Sequence, residues 1–112
     1  MTTPALPPFA GRGFVVAYPG LTAHNLYADD GRSVRYFITE GAYAGAQGVS
    51  PFEWREVAPG VFSISWQEAS GATVVHVDDF VHGLSQTFFT TPDLQFFRMR
   101  GTLTPLAPSA AA

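Results

Sequence analysis

Turn signals recur at short, even intervals along this chain, and that spacing limits the folds open to it. Pro19-Gly20, Asp30-Gly31, Gly45 to Gly48, Pro59-Gly60, Ser70-Gly71, His82-Gly83 and Thr91-Pro92 punctuate the sequence every ~8–12 residues. The runs between them are rich in β-branched and aromatic residues, and no window of helix length keeps a 3.6-residue period. Strands are expected over roughly 12–18, 22–28, 33–40, 52–57, 61–68, 72–79, 84–90 and 94–103, eight in all. Asp29-Asp30-Gly31 and Pro59-Gly60 read as hairpin turns. Eight short antiparallel strands in one domain either stack as two sheets or close on themselves. Closure removes exposed edges, and sequential hairpins close most simply as an up-and-down barrel. The expected fold class is all-β: a small antiparallel up-and-down β-barrel of about eight strands with a central cavity.

The chain has 112 residues, enough for one domain. It is 46% hydrophobic and 13% charged, the balance of a core-forming sequence. Three of the nine prolines fall in residues 1–9. The division expected is a flexible N-terminal arm over 1–10, a single barrel over 11–104 and a flexible tail over 105–112. Net charge is -3, and the six basic residues, all Arg, are scattered. That pattern excludes the basic stripe of a nucleic-acid binder. Cysteine is absent, so disulfides, thiol nucleophiles and thiolate metal sites are excluded. The N-terminus lacks the basic start and unbroken apolar run of a signal peptide. No apolar run reaches the ~20 residues needed to span a bilayer. A cytoplasmic protein with no membrane partner is expected.

Alternation identifies the interior-facing side chains. Even positions place Phe14, Val16 and Tyr18 inward on the first strand and Val34, Tyr36 and Ile38 on the third. On the strand over 61–68, Phe62, Ile64 and Trp66 form an apolar row that ends in Glu68. A carboxylate there is costly unless something binds or uses it. The same parity brings His24 and Leu26 inward on the second strand. Over 72–79 the even set is Val74, His76 and Asp78, while the odd set, Thr73, Val75, Val77 and Asp79, is more apolar. Periodicity alone does not choose between them. One register thus gathers Tyr18, His24, Glu68 and His76 in an aromatic lumen. In the other, the barrel is packed shut, with both histidines outside and Glu68 at a solvated rim.

The segments 11–18 (Gly-Arg-Gly-Phe-Val-Val-Ala-Tyr), 40–45 (Glu-Gly-Ala-Tyr-Ala-Gly) and 59–68 (Pro-Gly-Val-Phe-Ser-Ile-Ser-Trp-Gln-Glu), with Gly71 and His82-Gly83, carry a family pattern. In them the chain resembles the phenolic acid decarboxylases and the related MoaF-like proteins of the calycin, or lipocalin-like, group. Val77-Asp78-Asp79-Phe80 is more similar to the MoaF-like branch. The resemblance spans roughly 11–103. It implies a small barrel with an apolar cavity, often paired as a homodimer. It also implies a proton-handling role for Glu68 and a carboxylate-binding role for Tyr18. A second carboxylate-binding Tyr of the decarboxylases is Val16 here, and their Arg is Ala46. Without those donors a carboxylate is poorly held, so hydroxycinnamate decarboxylation is not expected.

A carboxyl group among Phe62, Ile64 and Trp66 is desolvated, which raises its pKa and suits it to general acid–base work. The expected catalytic residues are Glu68, Tyr18 and His76. The expected substrate-binding wall is Phe14, Val16, His24, Tyr36, Ile38, Phe62, Ile64, Trp66 and Val74. The function read from this is a cofactor-free lyase or isomerase acting on a small aromatic or polyketide-like compound. Carriage of a small hydrophobic ligand without chemistry, or an accessory MoaF-like role, is the alternative. His76, Asp78, Asp79 and His82 offer N and O donors but no recognised ligand spacing, and no metal is expected. Gly41, Gly45 and Gly48 are expected in a loop or a lid over the barrel mouth.

Overall fold

The computed structural model describes residues 5–106. They form nine antiparallel strands: β1 (Gly13–Tyr18), β2 (Leu21–Tyr27), β3 (Ser33–Gly41), β4 (Gln47–Pro51), β5 (Glu53–Ala58), β6 (Val61–Gln67), β7 (Thr73–Asp79), β8 (Leu84–Thr90) and β9 (Phe96–Pro105). All belong to one sheet, in the order β4-β3-β2-β1-β9-β8-β7-β6-β5. The sheet curls into a half-barrel with the meander connections of an up-and-down barrel. Its two edge strands are consecutive in the chain and joined by Phe52 alone, whose N–H donates to the Arg32 carbonyl at 3.1 Å. The edges therefore converge on a corner instead of lying open along their length.

The extra strand is β4. Residues 47–51 pair with 33–37 of β3, where a loop or lid was expected. Gly48 is what allows this, because the Tyr36 ring lies where its Cβ would project. In a sequence window rich in glycine, that role looks like looseness.

Inward parity changes from strand to strand for a geometric reason. Residues directly opposite each other share a face of the sheet. The Pro19-Gly20 turn pairs Tyr18 with Leu21, so an even inward set on β1 becomes an odd set on β2. Ala23, Asn25 and Tyr27 are the buried residues of β2. His24 and Leu26 lie on the outer face, where His24 packs against Phe37 with ring centroids 4.8 Å apart. The expectation that even positions of β2 face the lumen is corrected by that two-residue turn. Across β6 and β7 the pairing of Ile64 with His76 preserves parity, and Val74, His76 and Asp78 are buried.

One end of the barrel is sealed by aromatic rings. Phe9 is 1% exposed, although it lies in the segment expected to be a loose arm. Its ring stacks on Phe80 at 5.3 Å and meets Tyr27 at 4.6 Å and Phe62 at 5.4 Å. At the C-terminal end, β9 continues to Pro105, and the Leu106 N–H donates to the Gly13 carbonyl at 2.9 Å. The rest of the expected tail, 107–112, lies outside the described residues, as does 1–4 of the arm. No described helix is long and apolar enough to cross a membrane.

Candidate functional site

Inside the barrel, buried polar side chains interrupt the apolar lining. Tyr18 projects from the end of β1 across β9. Gly101 makes room for it, since a Cβ there would run into the Ala17 carbonyl oxygen and the Tyr18 ring. The Tyr18 hydroxyl thereby reaches β8, where it hydrogen-bonds Ser85 Oγ at 2.7 Å and also Thr87 Oγ1. Ser85 Oγ donates to Asp78 Oδ1 at 2.6 Å. His76 Nδ1 lies 3.3 Å from the same carboxyl oxygen and 3.1 Å from Thr87 Oγ1. These five side chains, all at most 6% exposed, form one continuous network. Its β7 and β8 members are brought together by β-sheet register: Thr87 sits opposite His76, and Ser85 opposite Asp78.

The geometry sets the chemistry of His76. A carboxyl oxygen facing Nδ1 favours the tautomer with a proton on that nitrogen. Among the described residues, the side-chain hydrogen bonds of His76 all fall on Nδ1. Asp78 and Thr87 together hold the ring through this one nitrogen. Burial pushes the Tyr18 hydroxyl up to about 12, against the lowering effect of its bonds to Ser85 and Thr87. It stays a neutral donor throughout the range in which a histidine titrates.

Glu68 lies apart from this network, one residue beyond the end of β6, and is half-buried. Trp66 links the two. Its indole stacks on His76 with centroids 5.2 Å apart and on Tyr36 at 6.1 Å. Its Nε1–H donates to Glu68 Oε2 at 3.3 Å. Burial raises the pKa of Glu68, with bonds from Trp66 and Tyr36 working against it. Burial, then the charge of Glu68, raises that of Tyr36.

The residues expected as a wall divide into three groups. Phe14, Val16, Phe62, Ile64, Trp66 and Val74 are buried in the core, and Tyr36 and Ile38 pack against it half-buried. His24 is outside. Tyr18 and His76 are brought together through Thr87, whereas Glu68 meets them only through the tryptophan. Asp78, Ser85, Thr87 and Asn25 were not singled out as site residues. Asp78 stood in the even set over 72–79, and only the choice of parity would have marked it. Ser85 and Thr87 alternate on β8 like ordinary outward polar residues, and no signal in the sequence distinguishes them. His82, the other histidine considered as a ligand, sits on the exposed turn after β7 and pairs with Asp79 at 2.8 Å. No group of three potential metal-ligating side chains occurs among the described residues.

Two depressions open on the surface. One, of about 430 Å³, lies at the corner where β4 passes into β5, with Phe52, Trp66 and Val74 among its walls. The other, of about 290 Å³, is bounded by Phe88, Met99 and Arg98 on β8 and β9.

No functionally curated protein matches the chain. Among solved structures, it is similar to a Burkholderia vietnamiensis protein described as a "putative beta-lactamase". The two are 52% identical, with a TM-score of 0.91 over 92% of this chain and 100% of that one. The family model described as MoaF-like matches residues 10–104, which is nearly all of the barrel. The chain belongs to the MoaF-like family.

Proposed function

We propose that this protein binds a small aromatic or polyketide-like compound in its barrel and performs acid–base chemistry on it, as a lyase or isomerase. The observation that carries this reading is the His76–Asp78 pair with its Tyr18–Ser85–Thr87 support, buried beside an aromatic and aliphatic core. A buried polar network is costly to assemble for packing alone. Here it orients an imidazole with one nitrogen left for a proton in transit. Glu68, its pKa raised by burial, is the second acid–base group, and Trp66 stands between the two. Side chains alone supply the chemistry in this reading.

A β-lactam is a poor fit as substrate, whatever the description of the Burkholderia protein. The chain has no Lys and so no Ser-x-x-Lys motif. Among the described residues the most buried serine, Ser85, is 1% exposed and donates to the Asp78 carboxyl rather than to a lysine or histidine. Carriage of a hydrophobic ligand without turnover is the second reading. Two positions favour it: Val16 lies on the inner face without a donor, and Ala46 is exposed.

Native mass spectrometry of the purified protein is expected to detect a bound small apolar compound. Turnover of that compound should fall by about 10²–10⁴-fold in Glu68→Gln and in His76→Gln, with circular dichroism unchanged. Full turnover in both variants would defeat the catalytic reading and leave the carrier. Neither p-coumaric nor ferulic acid should lose carbon dioxide, and a robust rate with either would show that Val16 and Ala46 do not bar a carboxylate.

A further inference from the structure

β5 is an end strand of the sheet, with β6 on one side and no strand paired on the other. Phe52 ties its start to the Arg32 carbonyl, but from Glu53 onward its backbone pairs only with β6. Every second N–H and C=O of such a strand points away from the sheet, toward whatever strand comes alongside. Its residues are exposed except for Trp54, which packs half-buried against the core. Charged side chains are the usual defence of an open edge. β5 carries three, Glu53, Arg55 and Glu56, and their order matters. Glu53 and Arg55 lie on the outer face, opposite the uncharged Ser65 and Ser63 of β6. Neither forms an ion pair among the described residues. Glu56 is already occupied, its Oε2 accepting from the Gly60 N–H at 3.1 Å.

We propose that two copies of this chain join β5 to β5, antiparallel about a two-fold axis beside Trp54, so that Glu53 of each copy meets Arg55 of the other. The register follows from symmetry and charge. Residues directly opposite each other share a face of the sheet, so a two-fold axis perpendicular to the sheet sets one residue opposite its own copy. β5 pairs regularly from Glu53 to Glu56, and the register shifts before Ala58, an irregularity that bends an edge away. The candidates for the axis are therefore Glu53, Trp54, Arg55 and Glu56. Three of them would set a charge directly against its own copy, which is destabilising. Trp54 remains. With Trp54 at the axis, Glu53 faces the partner's Arg55, Arg55 faces the partner's Glu53, and the two indoles form the central aromatic pair. A second copy is the fitting occupant, because the antiparallel complement of Glu-Trp-Arg has Glu and Arg in the same order. Two-fold pairing presents that same segment on both sides. The other edge strand, β4, carries no charge and ends in Pro51, which has no N–H to donate. The proposal does not depend on the barrel holding a ligand.

The test is sedimentation velocity of the full chain over a concentration series, with circular dichroism to confirm that each variant is folded. The expected result is a monomer that passes into a dimer as concentration rises. Glu53→Arg and Arg55→Glu should each weaken that dimer by at least about tenfold, because each sets like charges opposite one another twice across the axis. The double variant, Glu53→Arg with Arg55→Glu, exchanges the two charges and should restore the dimer. A chain that stays monomeric at every soluble concentration overturns the proposal. So does a dimer that both single reversals leave intact, since β4 or the outer face of the sheet then forms the contact. A double variant no tighter than the single ones shows that Glu53 and Arg55 do not face each other, and overturns it as well.

Discussion

Tyr18 shows how one residue couples packing to chemistry. Its ring fills the space above Gly101, and its hydroxyl ties β1 to two side chains of β8. Burial of that hydroxyl, and of Tyr27, makes the phenolate costly in the folded chain. Both groups have folded pKa values above the ordinary 10.0. Their contribution to stability is then complete below pH 10 and is lost as pH rises toward about 12, the value for Tyr18. In a spectrophotometric titration, both tyrosines should ionise only as the chain unfolds in alkali. Tyr18→Phe and Tyr27→Phe should each move that unfolding to higher pH. Ionisation of all four tyrosines before loss of circular dichroism would contradict the burial of these two. Little of this was legible in advance. Tyr18 stood out as an inward residue, but its partners on β8 lie 67 and 69 positions away. Local patterning carries no information about contacts at that separation.

At the scale of single elements, β9 is the strand on which the site depends without contributing a hydrogen-bonding side chain to it. Glycine inside a strand weakens it and marks a close approach. Gly101 is such a case, wedged between the Ala17 carbonyl and the Tyr18 ring. Gly101→Ala should destabilise the fold by about 1–3 kcal/mol through overpacking. It should also push the Tyr18 hydroxyl off Ser85, which chemical denaturation and the tyrosine titration would detect together. An unchanged denaturation midpoint would show that the strands can part at no cost. The strands themselves were mostly visible as alternating runs between turns, because period-two patterning is local. β4 was not, because a segment of Gly, Ala and Gln reads as loop until a neighbouring tyrosine needs the glycine. The parity of β2 was misread because a two-residue turn shifts the inward set by one position. A rule applied along the whole sequence cannot register a change made at a single turn.

For the whole molecule, the decisive contact is made by a residue that precedes the first strand. Phe9 closes the lower end of the barrel by touching rings from β2, β6 and the turn after β7. Phe9→Ala should cost about 3–5 kcal/mol, a large share of the 5–15 kcal/mol typical of a domain. Urea denaturation measures it, and a loss below about 1 kcal/mol would mean the seal contributes little. Short-range physics determined that this chain is all-β and that β1, β3 and β6 turn an apolar face inward. Those properties depend on turn chemistry and side-chain alternation, which any stretch of ten residues displays. Only the tertiary structure decided which histidine is buried, that Asp78 stands behind it, and that Glu68 meets it only through Trp66. Those outcomes depend on strand register summed around a curled sheet, and each turn along the way can shift the sum by one residue.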